Sequence, residues 1–128
     1  MLLADTSIVI EQSRGRNFKQ AALYRSMPMA CCGPIRAEVL SGARHPRERA
    51  RLVSLLNLSR TIDITTADWD YIGDTRAYIF SHGVSLSLPD VAIGCVAILS
   101  NIELWSRDRA HALMSSLIPA LRLYQEPP

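Results

Sequence analysis

Four acidic residues of this chain stand where side chains could do chemistry together. Two of them follow predicted strands, and the other two lie near the starts of predicted helices. They are Asp5, Glu38, Asp90 and Asp108. Carboxylates that lie close together repel one another and raise each other's pKa values unless a positive charge lies between them. A hard divalent cation such as Mg²⁺ meets that need, because it takes a few carboxylate ligands and keeps several waters.

The elements that must position these acids are short apolar runs that alternate with longer helical patterns. This alternation is typical of a parallel sheet covered by helices. Strands are predicted at residues 1–4, 27–32, 61–64, 102–106 and 121–124. In an open α/β sheet, ligands bind beyond the carboxyl ends of the strands, where helix N-termini also point. Parallel strands would therefore bring the four acids to one edge of the sheet.

Each acid also has a structural explanation when it is considered alone. Asp90 follows the helix opening Ser87-Leu88-Pro89, and an acid at this position often complements the helix dipole. Asp5 and Asp108 could be turn or cap residues, and Glu38 could be a solvated helix acid. If these four separate explanations all held, the four acids would lie at one edge only by coincidence. We therefore favour a shared acidic pocket. The helix that Asp90 opens is apolar almost all round to residue 99, which predicts a buried central helix.

The composition predicts a soluble globular protein with one domain, residues 1–128. The longest apolar run, residues 91–99, is well short of the ~20 residues that a membrane-spanning helix needs. The chain starts without a basic leader. These features predict a cytoplasmic protein without a membrane partner. The net charge is +2, and Lys19 is the sole lysine among the basic residues. Arginine suits phosphate recognition, although a GC-rich genome would produce the same bias.

Neither the cysteines nor the histidines have the spacing of a zinc site. Cys31 and Cys32 are adjacent and Cys95 lies in the apolar helix, so we expect buried, reduced thiols. The histidines show no paired spacing and are expected at the surface. They are His45, His82 and His111.

Four segments of the chain resemble the successive motifs of PIN domains. They are LLADTSIVIE, GPIRAEVLSGAR, LSLPDVAIGCVAI and ELWSRDRAHAL, and each carries one of the four acids. The resemblance runs in order from residue 1 to about residue 124. It implies a PIN-like α/β fold with three α/β/α layers and a central, mostly parallel sheet of four to five strands. Short chains of this layout are most similar to VapC toxins of toxin–antitoxin pairs.

The sequence departs from the PIN pattern at three places without losing an acid. Gly94-Cys95-Val96 stands where the third motif is commonly richer in alanine. Ser106 replaces a frequent threonine and keeps the hydroxyl group. Trp105 is bulkier than the usual aliphatic residue, and the sequence alone does not explain it.

The resemblance implies a metal-dependent endoribonuclease that uses Mg²⁺ or Mn²⁺. Asp5, Asp90 and Asp108 would be direct or water-mediated ligands, and Glu38 would hold metal-bound water or a second cation. The cation would lower the pKa of a bound water and orient it for attack on a phosphodiester. The hydroxyl groups of two further residues would orient the carboxylates, or would act only as helix caps. They are Thr6 and Ser106.

The resemblance also implies three kinds of partner. RNA would be the substrate, and its phosphates could be held by arginines of two clusters. A second copy of the chain would form a homodimer. A cognate antitoxin would lay a helix along an apolar groove, for which the helices at residues 8–26 and 47–58 are candidates. The two arginine clusters are Arg44, Arg47, Arg49 and Arg51, and Arg107 and Arg109.

Two other functions stay open on the sequence. The first is an aspartyl-phosphate phosphotransferase that uses Asp5 as its nucleophile. Such loops usually carry a second aspartate two residues later, where this chain has Ser7. The second is a non-catalytic PIN-like module that binds RNA or a protein partner. The presence of all four acids gives no support to that alternative.

Overall fold

The computed structural model describes all of residues 1–128 and contains four short strands and seven helices. The strands are β1 (Leu2–Ala4), β2 (Met29–Cys32), β3 (Arg60–Ile62) and β4 (Glu103–Trp105). The helices are α1 (Thr6–Arg14), α2 (Phe18–Ser26), α3 (Gly33–Ser41), α4 (Pro46–Asn57), α5 (Thr66–Ser81), α6 (Leu88–Leu99) and α7 (Arg109–Leu117).

All neighbouring strands pair in parallel, in the order β3-β2-β1-β4. Parallel strands are joined by right-handed crossovers. The chain moves outward from β1 through β2 to β3 with α1–α4 in the connections, and then returns past β1 to β4 with α5 and α6. The two sets of helices therefore cover opposite faces of the sheet. The predicted α/β/α architecture is confirmed, with four strands in the sheet.

The predicted strand at residues 121–124 is wrong as a strand. Only an isolated bridge joins Leu104 to Leu123. The Leu104 N–H donates to the Arg122 carbonyl at 2.9 Å, and the Leu104 carbonyl accepts from the Tyr124 N–H at 2.8 Å. Leu104 alone makes both hydrogen bonds, so the pairing stays a single bridge and does not extend into a ladder.

Trp105 explains why the C-terminal segment nevertheless stays on the sheet. Its fully buried ring meets Tyr124 edge to face, with the ring centroids 5.3 Å apart. Its indole Nε1 donates to Glu126 Oε1 at 2.7 Å. Trp105 therefore holds the C-terminal segment against β4, so its bulky side chain has a structural role.

Helix α6 is the buried central helix that the sequence predicts. Seven consecutive residues, 91–97, are buried. A Cβ atom on Gly94 would lie 2.5 Å from Sδ of Met114, a residue of α7 that packs against α6 at this point. The glycine thus makes room for a fully buried methionine, and this contact explains why alanine is absent at that position.

The three cysteines are free and buried, as predicted. Burial raises the pKa of the Cys32 thiol to about 12 and that of Cys95 to about 11. These thiols are therefore neutral core side chains at ordinary pH. No helix in the fold is both long enough and apolar enough to span a bilayer.

Candidate active site

The four predicted acids line one pocket at the carboxyl edge of the sheet. The pocket has a volume of about 270 Å³. Parallel pairing brings the ends of β1 and β4 side by side, and the starts of α3 and α6 point to the same edge. The lining residues are Asp5, Thr6, Ser7, Ile10, Glu38, Asp90, Ile93 and Asp108.

Asp5 is the most deeply held of these acids, with only 4 % of its surface exposed. Its main chain extends β1, because its N–H donates to the Trp105 carbonyl at 3.0 Å. Its side chain caps α1, because Oδ1 accepts from the Ser7 N–H at 2.8 Å. The other oxygen, Oδ2, accepts from the Ser106 hydroxyl and lies 3.2 Å from Nδ1 of His111. With both oxygens engaged, the Asp5 carboxylate is held in one orientation at the pocket.

Glu38 reaches the pocket from α3 and is half-buried. Its Oε1 accepts a hydrogen bond of 2.8 Å from the hydroxyl of Thr6, the first residue of α1. The two residues are 32 positions apart in the chain, so this contact ties α3 to the end of β1. A helix acid that is held by a neighbouring helix is not simply solvated.

Asp90 differs from an ordinary capping acid in a way that a second helix of this chain makes clear. Asp68 stands at the corresponding third position of α5, and its carboxylate accepts from the Thr65 main-chain N–H at 3.0 Å, which completes a capping box. The Asp90 N–H likewise donates to the Ser87 hydroxyl at 3.2 Å. The Asp90 carboxylate makes no return bond and lines the pocket instead. Capping alone therefore does not account for it.

Asp108 caps α7 and is exposed. Its Oδ1 accepts from the Ala110 N–H at 2.9 Å, and its own N–H donates to the Ser106 hydroxyl oxygen at 3.1 Å. The same Ser106 hydroxyl donates to Asp5. Ser106 thus links the loop after β4 to the loop after β1, and Thr6 makes the equivalent link to α3.

His111 contradicts the prediction of a surface histidine, because only 1 % of its surface is exposed. Its Nε2 lies 3.2 Å from the carbonyl oxygen of Asp90, which can only accept, so that nitrogen carries a proton. Its Nδ1 lies 2.9 Å from the Ser106 hydroxyl. The sequence held a signal for this burial, because His111 and Met114 lie three residues apart on one face of α7.

The environment of His111 favours its charged form. Burial opposes the charge, but the hydrogen bond to Asp5 and the negative charge of that residue outweigh it and raise the pKa of His111. Burial likewise opposes ionisation of Asp5, yet hydrogen bonds from His111, Ser106 and Ser7 together lower the pKa of Asp5. The pair is therefore an imidazolium beside a carboxylate, with each charge stabilising the other.

This pair predicts how stability depends on pH in the metal-free protein. A raised His111 pKa stabilises the fold below the ordinary value of 6.5, and that contribution is lost as pH rises through the folded-state value. A lowered Asp5 pKa stabilises the fold above the ordinary value of 3.8, and that contribution is lost as pH falls. Urea unfolding in EDTA should show the alkaline loss with a slope of at most about 1.4 kcal/mol per pH unit. The variant His111→Gln should not show this alkaline loss of stability. An identical loss in the variant would contradict the assignment of that loss to His111.

The donor set of the pocket fits a hydrated divalent cation. No lysine, arginine or histidine lines it, so four acidic residues share the wall of the pocket with no cationic residue. No group of three or more His, Cys, Asp or Glu side chains stands ready to hold a metal ion directly. Carboxylate oxygens are donors of the kind that Mg²⁺ takes, and Mg²⁺ keeps several waters in its coordination shell.

Arg107, one of the two arginines of the second predicted cluster, is already engaged within the protein. Arg107 forms ion pairs with Glu11 at 2.7 Å and with Glu126 at 2.6 Å. Its guanidinium group joins α1 to the C-terminal segment and is not free for phosphate. The prediction that Arg107 holds RNA is therefore not supported by its contacts.

The comparisons with solved structures agree with this architecture. VapBC2 from Rickettsia felis, bound to a DNA fragment from its promoter, is similar with a TM-score of 0.81, 18% identity and 96% coverage of each chain. A toxin–antitoxin complex from Klebsiella pneumoniae has a TM-score of 0.75, 22% identity, and coverage of 99% of this chain and 100% of that chain. At these identities the likeness shows a shared fold.

A third similar structure is VapC20 from Mycobacterium tuberculosis, a toxin that cleaves the sarcin–ricin loop. It has a TM-score of 0.69 and 13% identity, with coverage of 99% of this chain and 100% of that chain. Among curated proteins, no sequence matches this chain. A family model, the PIN domain, matches residues 2–116. The match spans most of the chain and all four acids of the pocket, and the chain belongs to the PIN-domain family.

Proposed function

We propose that this protein is a metal-dependent endoribonuclease, the VapC-type toxin of a toxin–antitoxin pair. The observation that carries the proposal is the convergence of four acids from distant segments on one pocket of a PIN domain. The structural neighbours that are toxins or toxin–antitoxin complexes support the toxin assignment.

The acids would divide the work of the site between them. Asp5, Asp90 and Asp108 would hold a divalent cation, Mg²⁺ or Mn²⁺, directly or through water, and Glu38 would hold metal-bound water or a second cation. A bound cation lowers the pKa of a water and offsets charge on the attacked phosphorus. Asp90 suits this role because its carboxylate has no partner within the protein.

The hydroxyl groups and the buried histidine would fix the directions of these carboxylates. Thr6 holds Glu38 through a bond of 2.8 Å, and Ser106 together with His111 holds Oδ2 of Asp5. Neighbours of this kind orient ligand groups and reduce the conformational freedom lost on binding. The pocket is therefore partly organised by the protein itself.

A cognate antitoxin and a second copy of this chain are the proposed protein partners. The neighbours solved as toxin–antitoxin complexes support the antitoxin. Phe18, at the start of α2, and Leu58, at the end of α4, are each 84 % exposed. Such apolar side chains on the helices at residues 8–26 and 47–58 suit an apolar partner helix. The homodimer rests on the family resemblance alone.

Metal binding should be measurable as stabilisation. Mn²⁺ or Mg²⁺ at about a hundred times its dissociation constant should stabilise the wild type by about 2.7 kcal/mol, measured by thermal unfolding. Asp90→Asn should keep the unliganded stability, because no bond to that carboxylate is lost, but should lose most of the metal response. An equal response in the variant would show that the ion binds elsewhere.

The proposed activity is tested by incubating the purified protein with RNA in Mg²⁺, in Mn²⁺ and in EDTA. Cleavage should need the divalent ion and should stop in EDTA. Thermal unfolding under the same conditions identifies metal binding separately from cleavage. Metal binding without cleavage of any RNA offered would favour the non-catalytic alternative.

A further inference from the structure

A second cavity, next to the acidic pocket, is lined by four arginines. It has a volume of about 480 Å³ and lies between α1, the end of α3 and α4. We call it the arginine groove, after the side chains that define it. They are Arg14, Arg16, Arg44 and Arg51.

The arginine groove lies next to the acidic pocket, because Ile10 lines both cavities. A polymer that occupies the groove would therefore have its next part close to the four acids. The positive charge of the groove could counter the repulsion between the acids and a polyanion.

The four guanidinium groups have no internal partner. All four side chains are exposed, and none forms an ion pair or hydrogen bond within the chain. Arg107 is the contrasting case, because it is held by two carboxylates. Glu48 is the one acid that lines the groove, and it pairs with none of the arginines. The groove therefore offers unneutralised positive charge.

Helix geometry separates these arginines from others predicted to hold RNA. On α4, Glu48, Arg51 and Leu52 line the groove, and they lie three and four residues apart on one face. Arg47 and Arg49 do not line the groove. Arg44 joins the set from the connection between α3 and α4.

We infer that the arginine groove binds the phosphate backbone of a single RNA strand whose next phosphodiester lies in the acidic pocket. The inference rests on the proposed nuclease function and adds the path of the substrate. RNA suits the groove better than an apolar protein helix, because only Ile10, Val39 and Leu52 among its ten lining residues are hydrophobic. Exposed arginines bind phosphates through paired N–H donors.

The experiment measures RNA binding without cleavage. A short, fluorescein-labelled single-stranded RNA of mixed sequence is titrated with the wild-type protein in EDTA, and anisotropy is recorded at several salt concentrations. Each phosphate contact to a single strand adds about 0.7 to the magnitude of the negative slope of log affinity against log salt. Arg14→Gln with Arg51→Gln should lower that magnitude by about 1.4 and weaken binding about tenfold near physiological salt.

Arg60→Gln is the control for the loss of an arginine outside the groove. Arg60 is also exposed and without an ion pair, but it begins β3 at the amino edge of the sheet. It should leave both the affinity and the slope unchanged. Equal losses in the control and the double variant, or no loss in the double variant, would overturn the inference. Melting curves of all three proteins exclude unfolding as the cause of a loss.

A second arm distinguishes RNA from an acidic protein partner. Poly-glutamate replaces the labelled RNA under the same conditions. Clearly weaker binding of poly-glutamate supports the RNA path, whereas equal binding that depends equally on Arg14 and Arg51 overturns it in favour of an acidic protein segment. Binding in EDTA does not depend on catalysis. If the cleavage assay fails but RNA binding still depends on the groove, the nuclease function is contradicted and RNA binding by the groove is not.

Discussion

Asp5→Asn should reduce metal-dependent RNA cleavage roughly a thousandfold, which is the scale of losing a group that stabilises the transition state. Asparagine removes the negative charge and presents an amide group where Oδ2 now accepts from Ser106 and faces His111. Oδ1 would keep its bonds from Ser7, so the cap of α1 survives. The measurement is the initial rate of cleavage of one RNA under single-turnover conditions.

Asp63→Asn is the control for that result. Asp63 follows β3 at the same edge of the sheet and is exposed, but it lines other cavities and not the acidic pocket. Its replacement should change the rate little. Because Asp5→Asn also disturbs the buried pair with His111, Asp90→Asn is measured beside it as a variant that breaks no internal bond. Full activity in both Asp5→Asn and Asp90→Asn would show that these carboxylates do not take part in catalysis.

His111→Leu should cost about 3–5 kcal/mol of unfolding free energy in metal-free protein, because it leaves the Asp5 carboxylate buried without its partner. Leucine also leaves the Asp90 carbonyl without the donor at Nε2. His111→Gln should cost less, because its amide can still donate to one of these acceptors. Urea unfolding at pH 6, where the pair is charged in the wild type, measures both differences.

His82→Leu is the matched substitution outside the site. His82 is exposed at the end of α5, where its ring contacts Tyr78. Surface changes of this kind usually alter the free energy of unfolding by less than about 0.5 kcal/mol. Equal costs at His82 and His111 would show that the buried pair contributes no special stability.

The positions of the acids could be predicted from the sequence because they depend on a simple rule. Short apolar runs that alternate with helices predict parallel strands, and parallel strands place their carboxyl ends together. Asp5 follows β1 directly, and Asp108 stands three residues after the end of β4. Asp90 could be predicted because Ser87 and Pro89 mark the start of a helix, and Asp90 stands at the third position of that helix.

The contacts within the site could not be predicted in the same way. Periodicity indicates which face of a helix is buried, but not which group lies opposite. The bond from Thr6 to Glu38 and the contact of His111 with Asp5 each depend on the packing of two helices. Packing can also override the exposure that is usual for a residue type. Histidine is usually partly exposed, and His111 is buried because two acceptors and a hydroxyl surround it.

The strand predicted at residues 121–124 failed for a related reason. Alternating residues predict an extended segment, and the segment does bond to Leu104 on either side. The pairing, however, stays a single bridge, because only Leu104 of β4 bonds to the segment. How many residues of two segments pair depends on how they pack, and the sequence of one segment does not determine it.

Diffraction from crystals soaked in excess Mn²⁺, recorded at a wavelength where manganese scatters anomalously, tests the shared cation site most directly. The anomalous difference map should show a peak inside the pocket, within direct or water-bridged reach of Asp5 and Asp90. The Asp90→Asn crystals, treated in the same way, should show a weaker peak or none. Mn²⁺ bound at other acids of the surface, with no peak between these carboxylates, would contradict a common metal site.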